Sequence, residues 1–475
     1  MAVDYDLVIV GSTPTAIAAA RAALRSQGRV ALVSQRSPEE GLGPETPLLP
    51  SLSALGAIAQ QQPLAHWLGL ADSARAELQW PAALAWHHAL GDTLAPDPAV
   101  LAAQGLEVIL GQGAFRREPS LGFNLADRCL RSRAYLIATG SHTGRPAIEG
   151  LDAVPYWTPE TLATQPPEVL PERLLILGGQ GLAVAWAEAF ARFGVAVTLI
   201  TRQPRLLPQA EPEAVALIQA QLEADGVRIL TGSPITQARM LDQEVWVQAG
   251  NDALAGDRLL VVAAPQPNLT GLNLEAVRVR ATPRGLSVKP WLQTAHPRIY
   301  ACGAVLGGDP APYIGHHEAA IAVENALWGR RRVPHYQAIP QWVPTQNPLI
   351  SLGLTEAQAS QQYHEDAWVL RCPYKALPQA HLHHQVNGFA KLIVRPSGQI
   401  LGAHILGPAA PELMSAIALL QESSQGMPAL ERLIPIAPSY SEVWTQLGQQ
   451  WRDRRHQRWG PWLEALAAWR RARAR

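Results

Sequence analysis

Two short turns carry the residue types that could hold a diphosphate. The first, Gly11-Ser12-Thr13-Pro14-Thr15-Ala16, follows the apolar run Leu7-Val8-Ile9-Val10 and precedes an Ala-rich stretch to Gln27. The second, Gly178-Gly179-Gln180-Gly181-Leu182-Ala183, follows Leu174-Leu175-Ile176-Leu177 and precedes a helical stretch to Phe193. A strand, a tight turn and a helix in this order aim backbone N–H groups at an anion. In G-x-G-x-x-G the first glycine makes the turn and the second lets the backbone approach the pyrophosphate. The third, where Ala is tolerated, lets helix pack on strand. Gly11 and Gly178 keep the first position, Ala16 and Ala183 the third. Thr13 and Gln180 take the second, so a side chain stands where the pyrophosphate should lie. The acidic residue expected at the ribose is Ser34 in one copy and Thr201 in the other. Arg202, the next residue, either faces solvent or reads a 2′-phosphate.

These turns require two Rossmann-type βαβ units, with second strands at Arg29 to Val33 and Val195 to Ile200. Leu52–Gly111 reads as helical runs broken by Pro63, Pro81 and Pro96/Pro98. The stretch from Pro155 to Pro171 reads as a linker. A third strand of the second unit is expected near Val227–Leu230, and a hairpin around Val245–Val247. Arg298–Gly303 is a strand into a turn, followed by a helix from about His316 to Trp328. Ala390–Val394 and Ile400–Ile405, joined by Pro396-Ser397-Gly398, read as a hairpin, with a helix at Pro411–Leu420 after it.

Composition narrows the functional classes. The chain has 475 residues, 48% hydrophobic and 16% charged, with zero formal net charge, so nucleic acid is not an expected partner. Cys129, Cys302 and Cys372 form no CxxC pair, which suits a reducing, cytoplasmic setting and argues against a structural zinc site. A first strand near residue 5 leaves no room for a signal peptide, and no run of about 18 apolar residues calls for a membrane span. His381-x-His383-His384 has no cysteine or carboxylate at ligand spacing and is read as structural or surface; no metal ligand is assigned. Cys302 is read as an inert core thiol.

The ordered set of landmarks resembles the flavoprotein disulfide reductases. They are Asp6–Ala16, Ile137-Ala138-Thr139-Gly140-Ser141, Leu174–Phe193, Ile299–Gly303, Leu352-Gly353-Leu354-Thr355-Glu356 and Leu401–Gly407. The resemblance implies an α/β protein with two Rossmann-like dinucleotide-binding domains and a C-terminal α+β dimerisation domain, in a homodimer. Residues 1–150 and 270–335 would form the FAD-type domain, 151–269 the NAD(P)-type domain, 336–447 the dimerisation domain and 448–475 a basic tail. FAD and NAD(P) are the implied cofactors, at Gly11, Thr139, Gly140 and Gly303 for the first and Gly178 and Arg202 for the second. Thr139-Gly140 equally serves simply to end a strand.

The family's chemistry does not carry over with its fold. In its G-G-x-C-x4-C-x-P-S-K segment this chain has Gly43 and Leu48 at the cysteine positions and Leu52 at the lysine. The lysine's glutamate partner falls at Ala185, so both halves of an ion pair are gone together, stranding no charge. The aspartate toward the ribityl chain is Ala304, and the H-P-x-x-S-E histidine is Ala437. Glu442, which in the family orients that histidine, has no evident catalytic task. No residue is therefore assigned a catalytic role. The expectation is a catalytically degenerate homologue, a non-enzymatic dimeric scaffold, partner subunit or ligand sensor. Its alternative is an FAD-dependent NAD(P)H oxidoreductase with a quinone or other non-disulfide acceptor.

The end of the chain differs from this pattern of loss. Trp451 to Arg475 carries eight arginines against Asp453 and Glu464. Pro461 can start a helix on which Trp462, Leu463, Leu466 and Trp469 fall at i, i+1, i+4 and i+7, one face. It would pack on the dimer, or dock to an acidic partner or an anionic membrane surface, making the protein peripheral to a membrane.

Overall fold

The computed structural model describes residues 3–35, 48–60, 79–94 and 96–473. A first parallel sheet has the order Ile299–Ala301, Ser132–Ile137, Tyr5–Val10, Val30–Ser34, Leu106–Leu110. Leu7, Val8, Ile9 and Val10 are all fully buried, as befits a parallel strand covered on both faces. Helix Pro14–Arg25 covers one face beside helix Pro312–Trp328. Their meeting faces are made of small residues, Ala16, Ala19, Ala20 and Ala23 against Ala319 and Ala322, so the backbones lie close.

The second parallel sheet has the order Arg228–Leu230, Ala196–Ile200, Arg173–Leu177, Arg258–Val261, Tyr156–Trp157. Its last strand corrects the linker reading of Pro155 to Pro171. Tyr156–Trp157 pairs with Leu259 and Leu260, and Thr158 then caps helix Pro159–Thr164. The expected hairpin around Val245–Val247 is the centre of a three-stranded meander, Ile235–Leu241, Glu244–Ala249, Asp252–Gly256. Pro81 does not break a helix; it sits in the first turn of helix Trp80–Leu94, where its missing N–H costs nothing. Strand Leu106–Leu110 was not anticipated. Pro63 lies outside the described residues.

The third sheet is antiparallel, in the order Gln341–Val343, Leu349–Gly353, Ile400–Leu406, Phe389–Val394, Trp368–Pro373. Helix Glu442–Arg473 packs on it through Val443, Trp444, Leu447 and Trp451, all buried. That helix corrects the tail reading at two points. It runs continuously through Pro461 rather than starting there, and Trp451 belongs to the core. Buried Lys391 joins this sheet to the second unit, with Nζ 2.8 Å from Glu211 and 2.5 Å from Glu356.

Candidate functional site

The Rossmann topology brings Gly11, Thr139, Gly140 and Gly303 together at the carboxyl ends of three adjacent strands of the first sheet. Gly11 has φ +135°, and a Cβ there would lie 2.3 Å from the Ala138 carbonyl oxygen, so glycine is obligatory. Gly140 (φ +74°) and Gly303 (φ +79°) complete the cradle.

Threonines fill that cradle. Thr13 is the N-cap of helix Pro14–Arg25. Its Oγ1 accepts the Ala16 N–H at 3.2 Å and donates to the Ala138 carbonyl at 2.9 Å. Its methyl lies 2.8 Å from where a Cβ on Gly140 would be. Pro14 brings no N–H at all. Thr15, buried, takes the space against Gly303 and Gly315: Cβ atoms built on those glycines would lie 2.9 Å from its Cγ2 and 2.1 Å from its Oγ1. The Gly303 N–H is also spent, donating to buried Glu318 at 2.6 Å, whose other oxygen accepts the Tyr336 hydroxyl at 2.7 Å. Burial pushes the Glu318 carboxyl above the usual range, against the pull of these two donors.

The remaining cavity is bounded by Thr13, Thr15, Gly140, Gly303, Ala304 and, from the second unit, Val262, and holds about 190 Å³. Clefts for drug-sized ligands run to ~300–1,000 Å³, and a flavin dinucleotide is larger than a typical one. Thr13 as it stands occupies the second position of the turn, where the resemblance implies the close approach of the FAD pyrophosphate. Thr139, expected to face a cofactor, turns instead to Asn268: its Oγ1 donates to the Asn268 carbonyl at 2.6 Å, and Asn268 Nδ2 returns a bond to the Thr139 carbonyl at 3.2 Å. Asn268 has no motif around it and was not anticipated.

The second turn is built differently. Gly178 (φ +156°) is again hemmed in, with an added Cβ 2.7 Å from Ala183 Cβ and 2.8 Å from the Val262 carbonyl oxygen. Gln180, however, is exposed, and no side chain caps helix Gly181–Arg192. The first-turn N–H groups have no intrahelical partner and receive no side-chain cap. Gln180, unlike Thr13, therefore caps no helix N–H with its side chain. Thr201 is buried, its Oγ1 accepting the Gln203 N–H at 3.2 Å, and Arg202 is exposed beside it.

Leu48, Leu52 and Ala185, which stand where the resemblance implies a cysteine, a lysine and a glutamate, are buried together. Leu48 and Leu52, on helix Leu48–Gln60, lie in one apolar cluster with Ala185, Trp186 and Phe190. Gly43 lies outside the described residues. On the same helix buried Ser51 sits 3.0 Å from His87 Nδ1, a pair 36 positions apart that sequence reading missed. Cys302 is fully buried, and burial, then Glu318, raises its thiol well above the ordinary value. His381 meets the Lys375 carbonyl at 2.8 Å and His383 the Gln379 amide at 2.9 Å. Glu442 accepts the Ser439 N–H at 3.0 Å, at the start of its own helix.

Comparison with known proteins gives a consistent result. The family model described as pyridine nucleotide-disulphide oxidoreductase matches residues 5–326, and its dimerisation-domain model matches 339–447, which supports a homodimer. The chain is 32% identical over 428 residues to a mercuric reductase of Streptomyces lividans, covering 87% of this chain and 89% of that one. It is 30% identical over 277 residues to a dihydrolipoyl dehydrogenase of Bacillus subtilis (strain 168), covering 58% and 60%. In fold it is similar to the HOCl-induced flavoprotein disulfide reductase RclA of Escherichia coli, with TM-score 0.81, 24% identity and coverage of 94% and 99%. The relatives are enzymes by name. That overturns the expectation of a non-enzymatic scaffold and points to an oxidoreductase. Among the described residues no helix is long and apolar enough to cross a membrane.

Proposed function

This chain belongs to the pyridine nucleotide-disulphide oxidoreductase family, and we propose that it is an NAD(P)H-dependent oxidoreductase whose electron acceptor is not a disulfide. The observation that carries this reading is the apolar seam of Leu48, Leu52 and Ala185 where a dithiol and its neighbouring ion pair would stand. Electrons cannot pass through a thiol that is absent, and the remaining cysteines lie elsewhere, on Cys129–Leu130, at the end of Ile299–Ala301 and on Trp368–Pro373. The uncapped second turn takes the nicotinamide nucleotide, with Gly178 giving the close approach and Arg202 favouring a 2′-phosphate. FAD takes part only with Thr13 turned out of the first cradle.

The test is NADPH oxidation by the purified chain with benzoquinone, lipoamide or glutathione disulfide as acceptor, after a visible spectrum taken without added cofactor. Turnover with the quinone and none with the disulfides is expected. Disulfide reduction at a comparable rate, or no oxidation of NADPH or NADH with any acceptor in the presence of FAD, would overturn the proposal.

A further inference from the structure

The loop that carries Arg202 is fastened from another domain. It leaves strand Ala196–Ile200 at Thr201 and reaches helix Pro212–Ala224 at Glu211. Its backbone is held along the way. The Gln203 carbonyl accepts the Gly232 N–H at 2.7 Å, and the Leu207 N–H donates to the Gly179 carbonyl of the glycine turn at 2.8 Å. Leu206 and Leu207 are buried, and Leu207 keeps a left-handed backbone, φ +46°, which a residue with a Cβ adopts at a cost. The Ala210 N–H then returns to the Leu207 carbonyl at 2.9 Å. The loop therefore moves as one piece with the turn, and its end at Glu211 decides where the piece sits.

That end lies in a buried ionic cluster. One Glu211 carboxylate oxygen accepts from Lys391 Nζ at 2.8 Å. The other accepts the Glu356 N–H at 3.1 Å and lies 3.8 Å from His404 Nε2. Lys391, Glu356 and His404 all belong to the dimerisation domain. Burial disfavours the Glu211 carboxylate, yet Lys391 and the Glu356 N–H hold its pKa below the ordinary range. Lys391 also meets Glu356 at 2.5 Å and Glu213 at 3.5 Å, whose side chains are partly exposed. A buried ion pair adds little net stability, since both charges give up their water, but removing one partner strands the other. We propose that Lys391 is a positioning residue for nucleotide selection. From the dimerisation domain it fixes the far end of the 201–211 loop, and so holds Arg202 where it meets a 2′-phosphate. The inference rests on Arg202 as the reader of that phosphate.

The experiment is calorimetric titration of the full chain with adenosine 2′,5′-bisphosphate and with adenosine 5′-monophosphate. These differ only in the 2′-phosphate and need neither flavin nor electron acceptor. The parent should prefer the bisphosphate about tenfold. Lys391→Met strands the Glu211 carboxylate. Glu211→Ala unfastens the loop while Lys391 keeps Glu356 and Glu213, so it decides the matter if Lys391→Met does not fold. Each should bring the preference to about twofold or less by weakening the bisphosphate alone. In an Arg202→Ala background, Lys391→Met should change neither affinity further. A parent without the preference would overturn the reading of Arg202 and this inference together. A parental preference that survives both variants, whatever their Tm, would overturn the inference alone, as would an equal loss of bisphosphate binding once Arg202 is gone.

Discussion

The two glycine turns share their departure from the dinucleotide pattern and differ in what it does. At Gly11–Ala16 the second-position residue is short and hydroxylated, so Thr13 folds back, caps the helix and bonds the neighbouring strand end. At Gly178–Ala183 the residue is long and amidic, and Gln180 is exposed and leaves the helix without a side-chain cap. The first turn caps its helix with its own side chain, and the second does not. Loss of a motif glycine is therefore not one event. Whether it closes a site depends on whether the new side chain can find partners inside it.

Replacing the surviving glycines should produce the largest effects and rank the turns by rigidity. Gly11→Ala sets a Cβ against a backbone oxygen at positive φ and should cost about 3 kcal/mol or more, or prevent folding. Gly178→Ala meets the Ala183 Cβ at 2.7 Å and the Val262 carbonyl oxygen at 2.8 Å, longer approaches than at Gly11, and should cost less, about 2 kcal/mol. Denaturant midpoints of the two variants decide; equal losses would mean the turns are equally fixed.

Thr13→Gly should open the first cradle. FAD affinity, read by quenching of flavin fluorescence, is expected to rise roughly tenfold or more, since a bonded side chain no longer competes for the donors. Stability should fall by only a few tenths of a kcal/mol, the usual cost of Gly at an N-cap. A parent that already holds FAD as tightly as the variant would erase the contrast between the turns.

Arg202→Ala should cut NADPH affinity about tenfold while sparing NADH, as expected for one charge-assisted contact. Gln180→Ala, removing an exposed side chain, should change either affinity by less than about twofold. Calorimetric titration of both nucleotides separates the two, and a large Gln180 effect would show that this side chain also enters its cradle.

Glu318 yields the smallest and most specific expectation. Its folded pKa is raised above the ordinary 4.5, so the folded state holds the proton more tightly than the unfolded chain. Its contribution to stability is full below about pH 4.5 and is lost as pH climbs through the raised value. Glu318→Gln, permanently neutral, should flatten the Tm-against-pH curve above that point. A parallel curve would mean that Glu318 is ionised throughout.

The strand–turn–helix units were legible in the chain because four-residue apolar runs beside glycine have few alternatives, and the hairpin through Pro396–Gly398 likewise. Tyr156–Trp157 was hidden by surrounding prolines, since a two-residue edge strand exists only because Leu259 and Leu260 offer it a partner. The continuous terminal helix was obscured at Pro461, a residue that local propensity reads as a helix start or break.

The sequence alone determined the family of folds, the position of each glycine turn and the absence of a dithiol, because residue identity and spacing are local quantities. The tertiary structure decided that the Thr13 side chain caps its helix while Gln180 leaves the other helix uncapped. It also decided that Leu48, Leu52 and Ala185 share one apolar seam, and that Glu318 takes the N–H of Gly303. Each of these depends on which distant backbone or side chain comes within reach of a given atom, and chain spacing does not encode that distance.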